Sequence, residues 1–360
     1  MRIKELRIVN AYTQCSRIAN SVEQRGFSPL LWRGWGPGGF SPLLWRGWGP
    51  GGFSPLLWRG WGPGGFSPLL WRGWGRFSLL ALSLLVLQAA AATQRTPRYQ
   101  RADSLRVVQL LTEARQQPRT TCWPLYFGRQ LIGLPYVAHT LEDNPGEQQL
   151  IVNLRELDCT TLTENVVALT LCARAEIYTF AAFLENLETI RYFKNQTFEG
   201  YPARLHYFCS WMADNEASGI VKETTGPNPP FTAVQHLKVN YMSTHPDRYA
   251  ALKAAPELIP DIRRAEQMLT GQSARYIPKA QLTNTPLLRE TIHDGDIIVI
   301  ITNIAGLDTQ HIGLAAWHAD GLHLLNASSI HHKVVEEPMT LRQYLYRHKT
   351  MPGIRVLRIQ

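Results

Sequence analysis

The apolar residues change their period part-way along this chain, and that change limits the fold more than any other feature. In ADSLRVVQLLTEARQQ (102–117), Leu105, Val108, Leu111 and Ala114 recur at intervals of three, which reads as one face of an amphipathic helix, with Asp103 or Ser104 as its N-cap. CTTLTENVVALTLCA (159–173) and AEIYTFAAFLENLETIRYF (175–193) also read as helix, and EQQLIVNL (147–154) as a strand. The middle third is loop-rich, with TTGPNPP (224–230) as its clearest breaker, and a further helix fits PDRYAALKAA (246–255). From residue 295 the pattern shortens. GDIIVIITNI (295–304), HIGLAAW (311–317), GLHLLNAS (321–328), HKVVEE (332–337) and GIRVLRI (353–359) are short β-rich runs separated by turn residues. Helices first and an antiparallel sheet afterwards predict an α+β fold with the two kinds of element in separate layers.

The first quarter does not share this organisation. GFSPLLWRGWGPG occupies 26–38 and repeats unchanged at 39–51 and 52–64, with a truncated fourth copy at 65–75. Pro and Gly at both ends of each copy suit neither a long helix nor a central strand, and the unit is short for a solenoid. Residues 1–71 are therefore expected to be disordered or foreign to the native protein, translated from a start upstream of the true one. The alternative is an aromatic, cationic tail that binds membranes. Arg72 and Arg76 then precede FSLLALSLLVLQAAAATQ (77–94). A cationic flank, an apolar run and small residues read as a secretory signal at 72–92, cleaved within 89–92. The run is too short for a membrane span, which needs roughly 20 residues. The expectation is one domain at 93–360, exported to the periplasm or secreted, with no stable membrane span after signal cleavage.

Charge removes one class of partner. The formal net charge is +9, but residues 1–76 hold ten Lys and Arg against Glu5 and Glu23, and the remainder is nearly balanced. Nothing beyond the repeats has the basic excess that nucleic-acid binding requires.

Chemistry is expected where Cys159 opens a helix. The positive end of the helix dipole and its free N–H groups favour a thiolate there; the alternative is a buried structural cysteine. A thiolate attacking an amide needs a base that can later protonate the leaving amine, and histidine titrates in the right range. His311 heads one strand-like run, and Asn326 ends the next. If those runs pair as a hairpin around HADG, the start of the first meets the end of the second, and Asn326 sits beside His311. No metal site is expected. His318 and His323, and His331 and His332, lack a spacing such as H-E-x-x-H, and adjacent strand residues point to opposite faces. Cys122, Cys172 and Cys209 are candidates for one disulfide of undetermined pairing, with Cys172 expected to be buried.

DCTT (158–161), GDIIVI and HIGLAAWHADGLHLLNAS resemble the ordered motifs of NlpC-type papain-like cysteine peptidases. YVAHTLE (136–142), LIVNLRELDCTTLTENVVAL (150–169) and HYFCSWMADN (206–215) resemble bacterial N-acetylmuramoyl-L-alanine amidase-like proteins within that superfamily. The resemblance runs from about residue 105 to the end and does not reach the repeats. It implies a papain-like α+β fold, with helices packed on an antiparallel sheet or partial barrel, and no cofactor or metal. By it, Cys159 is the nucleophile, His311 the base and Asn326 the orienting residue, a place where many relatives carry His. The Cys159 N–H joins the oxyanion donors. Asp158, Tyr136, Thr140, Arg204, Tyr207 and Asp214 are substrate-binding candidates, each with packing or solvation as the alternative, and for Asp158 an N-cap or a salt bridge. The implied activity is an exported cysteine amidase that cuts the N-acetylmuramic acid–L-Ala bond of peptidoglycan or a muropeptide through a thioester. The alternatives are a γ-D-glutamyl endopeptidase acting within the stem, a non-catalytic wall-binding module and an acyltransferase.

Overall fold

The computed structural model describes residues 95–142, 146–147, 149–194, 197–307 and 309–360. The repeats and the expected signal segment lie outside the described residues. Strand β1 (Thr96–Arg98) pairs in parallel with β2 (Gln149–Ile151), so the strand expected at 147–154 is real but short. Between them, helix α1 (Arg101–Ala114) turns a different face inward from the one its spacing suggests. Val107, Leu110, Leu111 and Ala114 are buried, whereas Leu105 and Val108 are exposed. Asp103 explains the rotation. Its carboxylate is fully buried and accepts from the Leu154 N–H (2.9 Å) and Arg155 Nε (3.1 Å). A buried charge must keep such partners, so it fixes which side of α1 faces the core. Gln100, not Asp103 or Ser104, is the N-cap.

Helix α2 (Trp123–Gln130) leads to α3 (Cys159–Arg174), which is buried over most of its length. Its start is set by a capping box: Asp158 Oδ1 accepts from the Thr161 N–H at 2.8 Å, and the Thr161 hydroxyl accepts from the Asp158 N–H at 2.9 Å. Leu162, Val166 and Leu169 enter the core, and truncating Leu162 to Ala would cost roughly 2–5 kcal/mol. Helix α4 (Phe180–Arg191) is a separate element rather than a continuation. Glu176 takes positive φ (56°), and Thr179 caps the new helix by accepting from the Ala182 N–H. Arg191 returns from α4 to clamp α3, with Nε 2.7 Å from Glu164 Oε2 and Nη1 2.6 Å from the Ile151 carbonyl. Helix α5 (Phe208–Ala217) completes this layer. In the stretch expected to be a helix at 246–255, a 3₁₀ turn (Pro246–Arg248) precedes a short helix (Ala250–Ala254).

Eight strands form the main sheet among the described residues: β3 (Val221–Thr224), β4 (Ala233–His236), β5 (Ser273–Pro278), β6 (Ile297–Ile301), β7 (Thr309–Trp317), β8 (Leu322–Ser328), β9 (Lys333–Glu336) and β10 (Gly353–Ile359). The order is β4-β5-β10-β6-β7-β8-β9, β3 also pairs with β10, and every pairing is antiparallel. β6 reads IIVII without alternation because both its faces are covered. Ile297 and Val299 join the core shared with α1–α5, while Ile298 and Ile300 join a second core with Phe231, Leu288, Leu341 and Leu345. The expected order of helices and then sheet holds only for β6–β10; β3, β4 and β5 lie in the stretch read as loop-rich, and short helices after α5 cover the far face. The result is a mixed α+β architecture. No helix among the described residues is long and apolar enough to cross a membrane.

Candidate active site

Cys159 is the first residue of α3 and is half-buried. Asp158 satisfies the Thr161 N–H, which leaves the first-turn N–H groups of Cys159 and Thr160 for another acceptor. α3 packs on β7 and β8, and the Ile312 main-chain N–H of β7 lies against the Cys159 sulfur. The thiol is not tuned as the helix dipole suggests. Burial pushes it up to about 12, with Asp158 adding to the rise, and the Ile312 N–H and the Thr160 hydroxyl only partly oppose this. Desolvation of the anion thus outweighs the helix terminus, and the resting group is a neutral thiol.

His311, immediately before Ile312, is buried. Burial lowers its pKa below the ordinary value and outweighs the hydrogen bond it donates to Asn326, so the resting imidazole is neutral. Leu314 stands opposite Leu325 in the antiparallel β7–β8 pair, which puts Gly313 opposite Asn326 and His311 diagonal to it on the same face. His311 Nε2 is 2.8 Å from Asn326 Oδ1. Gly313 permits this approach: a Cβ there would sit 2.6 Å from the Leu325 carbonyl oxygen and 3.0 Å from Asn326 Cβ.

Glu337 decides which ring nitrogen carries the proton. Asn326 is fully buried, and its Nδ2 is 3.1 Å from Glu337 Oε1. A carboxylate can only accept, so the amide NH₂ must face Glu337 and the amide oxygen must face the ring. Nε2 of His311 is then the donor, and Nδ1 holds the lone pair. The other oxygen of buried Glu337 accepts from His331 Nε2 at 3.0 Å. Glu337 was not among the candidates; its signal in the sequence was no more than an acid ending the β-run after Asn326. Tyr344 was also missed. Its ring lies 6.4 Å from that of His311, centroid to centroid, and its phenol is raised by burial, then by Glu337 and Cys159. Cys159 packs on the first core and Tyr344 belongs to the second, so the cluster lies where the two cores meet.

The remaining candidates divide. Tyr136 flanks the thiol: it bridges to Leu157, and its phenol is raised by burial, then by Cys159 and Asp158. Asp158 is the N-cap of α3. Thr140 is half-buried, with its hydroxyl enclosed. Asp214, on α5, is half-buried near Lys194, and burial raises its carboxyl. Arg204 and Tyr207 depart from the expectation. Arg204 is buried between Glu142 (2.6 Å) and Glu147 (2.8 Å). The buried Tyr207 hydroxyl donates to Glu266 (2.6 Å) and accepts from the Met242 N–H (2.9 Å). Both spend their polar atoms on the protein interior, because a buried charge or hydroxyl keeps whatever partner desolvation leaves it. Cys122, Cys159, Cys172 and Cys209 are free thiols, so the expected disulfide is absent among the described residues, and Cys172 is buried as expected.

The profile of the AmiA-like family, described as N-acetylmuramoyl-L-alanine amidase-like, matches residues 126–353. The chain belongs to this family. The matched span contains Cys159, His311, Asn326 and Glu337. Among solved structures, the protein is similar to an N-acetylmuramoyl-L-alanine amidase from Bacteroides uniformis ATCC 8492, at 39% identity and a TM-score of 0.61, over 66% of this chain and 98% of that one. It is likewise similar to a putative xylanase from Bacteroides fragilis, at 38% identity and a TM-score of 0.60, over 65% of this chain and all of that one (100%). A Legionella pneumophila protein shares the fold at 20% identity and a TM-score of 0.55, over 71% of this chain and 94% of that one. No curated protein matches the chain. Membership places the protein in an amidase-like family of peptidoglycan hydrolases.

Proposed function

We propose that the protein is an exported cysteine amidase of papain-like arrangement that hydrolyses the bond between N-acetylmuramic acid and L-Ala in peptidoglycan or muropeptides. The observation that carries this reading is the 2.8 Å contact of His311 Nε2 with Asn326, oriented by Glu337, beside a cysteine at a helix N-terminus. It leaves one reactive atom on each partner, Sγ of Cys159 and Nδ1 of His311.

The steps follow from those two atoms. Sγ attacks the lactyl carbonyl carbon while its proton passes to Nδ1, so thiolate and imidazolium form together during attack rather than at rest. The carbonyl oxygen becomes an oxyanion at the start of α3, where the Cys159 and Thr160 N–H groups donate to it. Collapse breaks the C–N bond, and Nδ1–H protonates the departing L-Ala amine. Water then gives a proton to Nδ1 and attacks the thioester carbonyl, releasing the lactyl carboxylic acid and restoring the thiol. Asn326 holds the ring in place throughout and accepts from Nε2–H, which stabilises the imidazolium. Tyr136 and Tyr344 flank the thiol as substrate contacts. A wall substrate accords with an extracellular or periplasmic location, a signal at 72–92 and a domain beginning at residue 93.

The test compares the chain from residue 93 with its Cys159→Ala variant on a defined muropeptide carrying the full sugar and stem, with products read by mass spectrometry. The expected products, from the unaltered enzyme alone, are the free sugar acid and the intact stem peptide. A cut after D-Glu would make it an endopeptidase, and transfer of the acyl group to an added amine an acyltransferase. Equal product from both proteins would remove Cys159 from the mechanism. No product from either, with anhydro-ended fragments also tried, would favour a wall-binding module.

A further inference from the structure

The turn that joins β7 to β8 gathers two imidazoles and a carboxylate. His318, Asp320 and His323 each offer one ligand atom, and these atoms lie within 4.8 Å of one another. The tautomer of His323 follows from its partners. Its Nδ1 is 2.8 Å from the Glu337 main-chain carbonyl, which can only accept, so Nδ1 carries a hydrogen. In the neutral ring the lone pair is then on Nε2, and Nε2 faces Asp320 Oδ1 at 2.9 Å. A buried imidazole anchored through N–H to a main-chain carbonyl, with its other nitrogen turned toward a further ligand atom, is how metal-bound histidines are held.

His318 supplies the second nitrogen. Its ring stacks on His323 with centroids 4.1 Å apart. Its Nε2 contacts Glu336, which Arg129 grips with Nε (3.0 Å) and Nη2 (3.2 Å). The His318 side chain is 43% exposed and that of Asp320 64%, so both can turn without disturbing the core.

We propose that His318, Asp320 and His323 form a binding site for a divalent transition ion of the Zn²⁺ class. Two imidazoles and a carboxylate suit such an ion, whereas Mg²⁺ and Ca²⁺ favour all-oxygen sites. Zinc bonds of about 2.0–2.1 Å place tetrahedral ligand atoms roughly 3.3 Å apart, so the cluster must contract by about 1.5 Å, with water as the fourth ligand. The ion would stand between Nε2 of His323 and Asp320 Oδ1. It would also cross-link the two strands of the hairpin, since His318 follows β7 and His323 lies in β8. His318 is seven residues beyond His311, roughly 23 Å along a strand, so the site is separate from the thiol and does not rest on the proposed activity. The sequence spacing argued against a metal here; the hairpin turn is what brings the ligands together.

The test uses the full chain carrying Cys159→Ala, so that the thiol cannot compete. The protein is stripped with chelator, titrated with Zn²⁺ by calorimetry near neutral pH, and assayed for bound metal after dialysis. About one ion per chain is expected, with affinity weakened about 100-fold by His318→Ala or Asp320→Asn, the upper end of what loss of even an outer-shell partner costs. His236→Ala, on β4, should bind as before. Both site variants alter exposed positions, and their metal-free melting temperatures should match the parent. Absence of Zn²⁺ binding, or equal binding by the His318→Ala/Asp320→Asn double variant, overturns the proposal and leaves His323 and Asp320 as an ordinary hydrogen-bonded pair.

Discussion

Two buried polar clusters, one around Arg204 and one around Cys159, handle charge in opposite ways. Around Arg204, full charges compensate one another. Its guanidinium lies between Glu142 and Glu147, the Tyr201 hydroxyl donates to Glu142 (3.0 Å), and the Tyr192 hydroxyl donates to Glu147 (2.8 Å). Burial would raise the Glu142 carboxyl, but Arg204 and His206 hold it low; at Glu147 burial wins and raises the carboxyl in spite of Arg204; and His206, desolvated beside Arg204, falls to about 3. Around Cys159 the thiol and the imidazole are both neutral, and each keeps one unspent atom. The lesson is that pairing consumes reactivity. A cluster that closes all its bonds holds the fold together, while one that fixes orientation yet leaves a lone pair and a thiol proton can do chemistry.

The sharpest test of this contrast sets one cluster against the other. Cys159→Ala should lower amidase turnover by roughly 10⁴-fold or more, on the precedent of nucleophile removal in other acyl-transfer enzymes, with the urea midpoint little changed. Arg204→Met should do the reverse. Stranding Glu142 and Glu147 should cost about 3–5 kcal/mol in urea unfolding, while kcat stays near wild type at temperatures where the variant is folded. A large kcat loss in folded Arg204→Met would erase the distinction.

Glu337→Gln refines it. A glutamine can present either end of its amide to Asn326, so the Asn326 amide and hence the His311 tautomer lose their definition. We expect kcat to fall by up to about 100-fold, the scale of a misplaced catalytic group, with KM less affected. The ¹⁵N pattern of His311 should change from a single Nε2–H tautomer to a mixture. An unchanged ¹⁵N pattern would show that Glu337 is merely structural.

The pH dependence tests the neutral pair. With the thiol pushed up to about 12, the thiolate fraction at neutral pH is small and grows about tenfold per pH unit. Iodoacetamide labelling of Cys159 should therefore keep rising through the alkaline range. A plateau near neutrality would mean a resting ion pair instead. Because the His311 pKa is lowered, the base stays unprotonated below the ordinary histidine value of 6.5, and the acid limb of kcat/KM should fall below that value. The smallest effect is expected from His331→Ala. This half-exposed partner of Glu337 should change kcat less than about fivefold, as a partly exposed pair contributes about 1 kcal/mol at most.

The sequence by itself determined what depends on near neighbours. It set the α+β class, the start of α3 at Cys159, the strands at 311–317 and 321–328, and the hairpin that brings Asn326 to His311. Periodicity, capping and turn chemistry act over a few residues, and a linear chain displays them. Tertiary structure decided which polar groups are already taken. Arg204 finds Glu142 sixty-two residues away, and Asp103 rotates α1 through a bond to Leu154 fifty-one residues away. Glu337 fixes the Asn326 amide from just beyond the end of β9, and burial rather than the helix dipole sets the thiol. Desolvation and hydrogen-bond pairing depend on everything packed around a group, so they exist only once the chain has closed on itself.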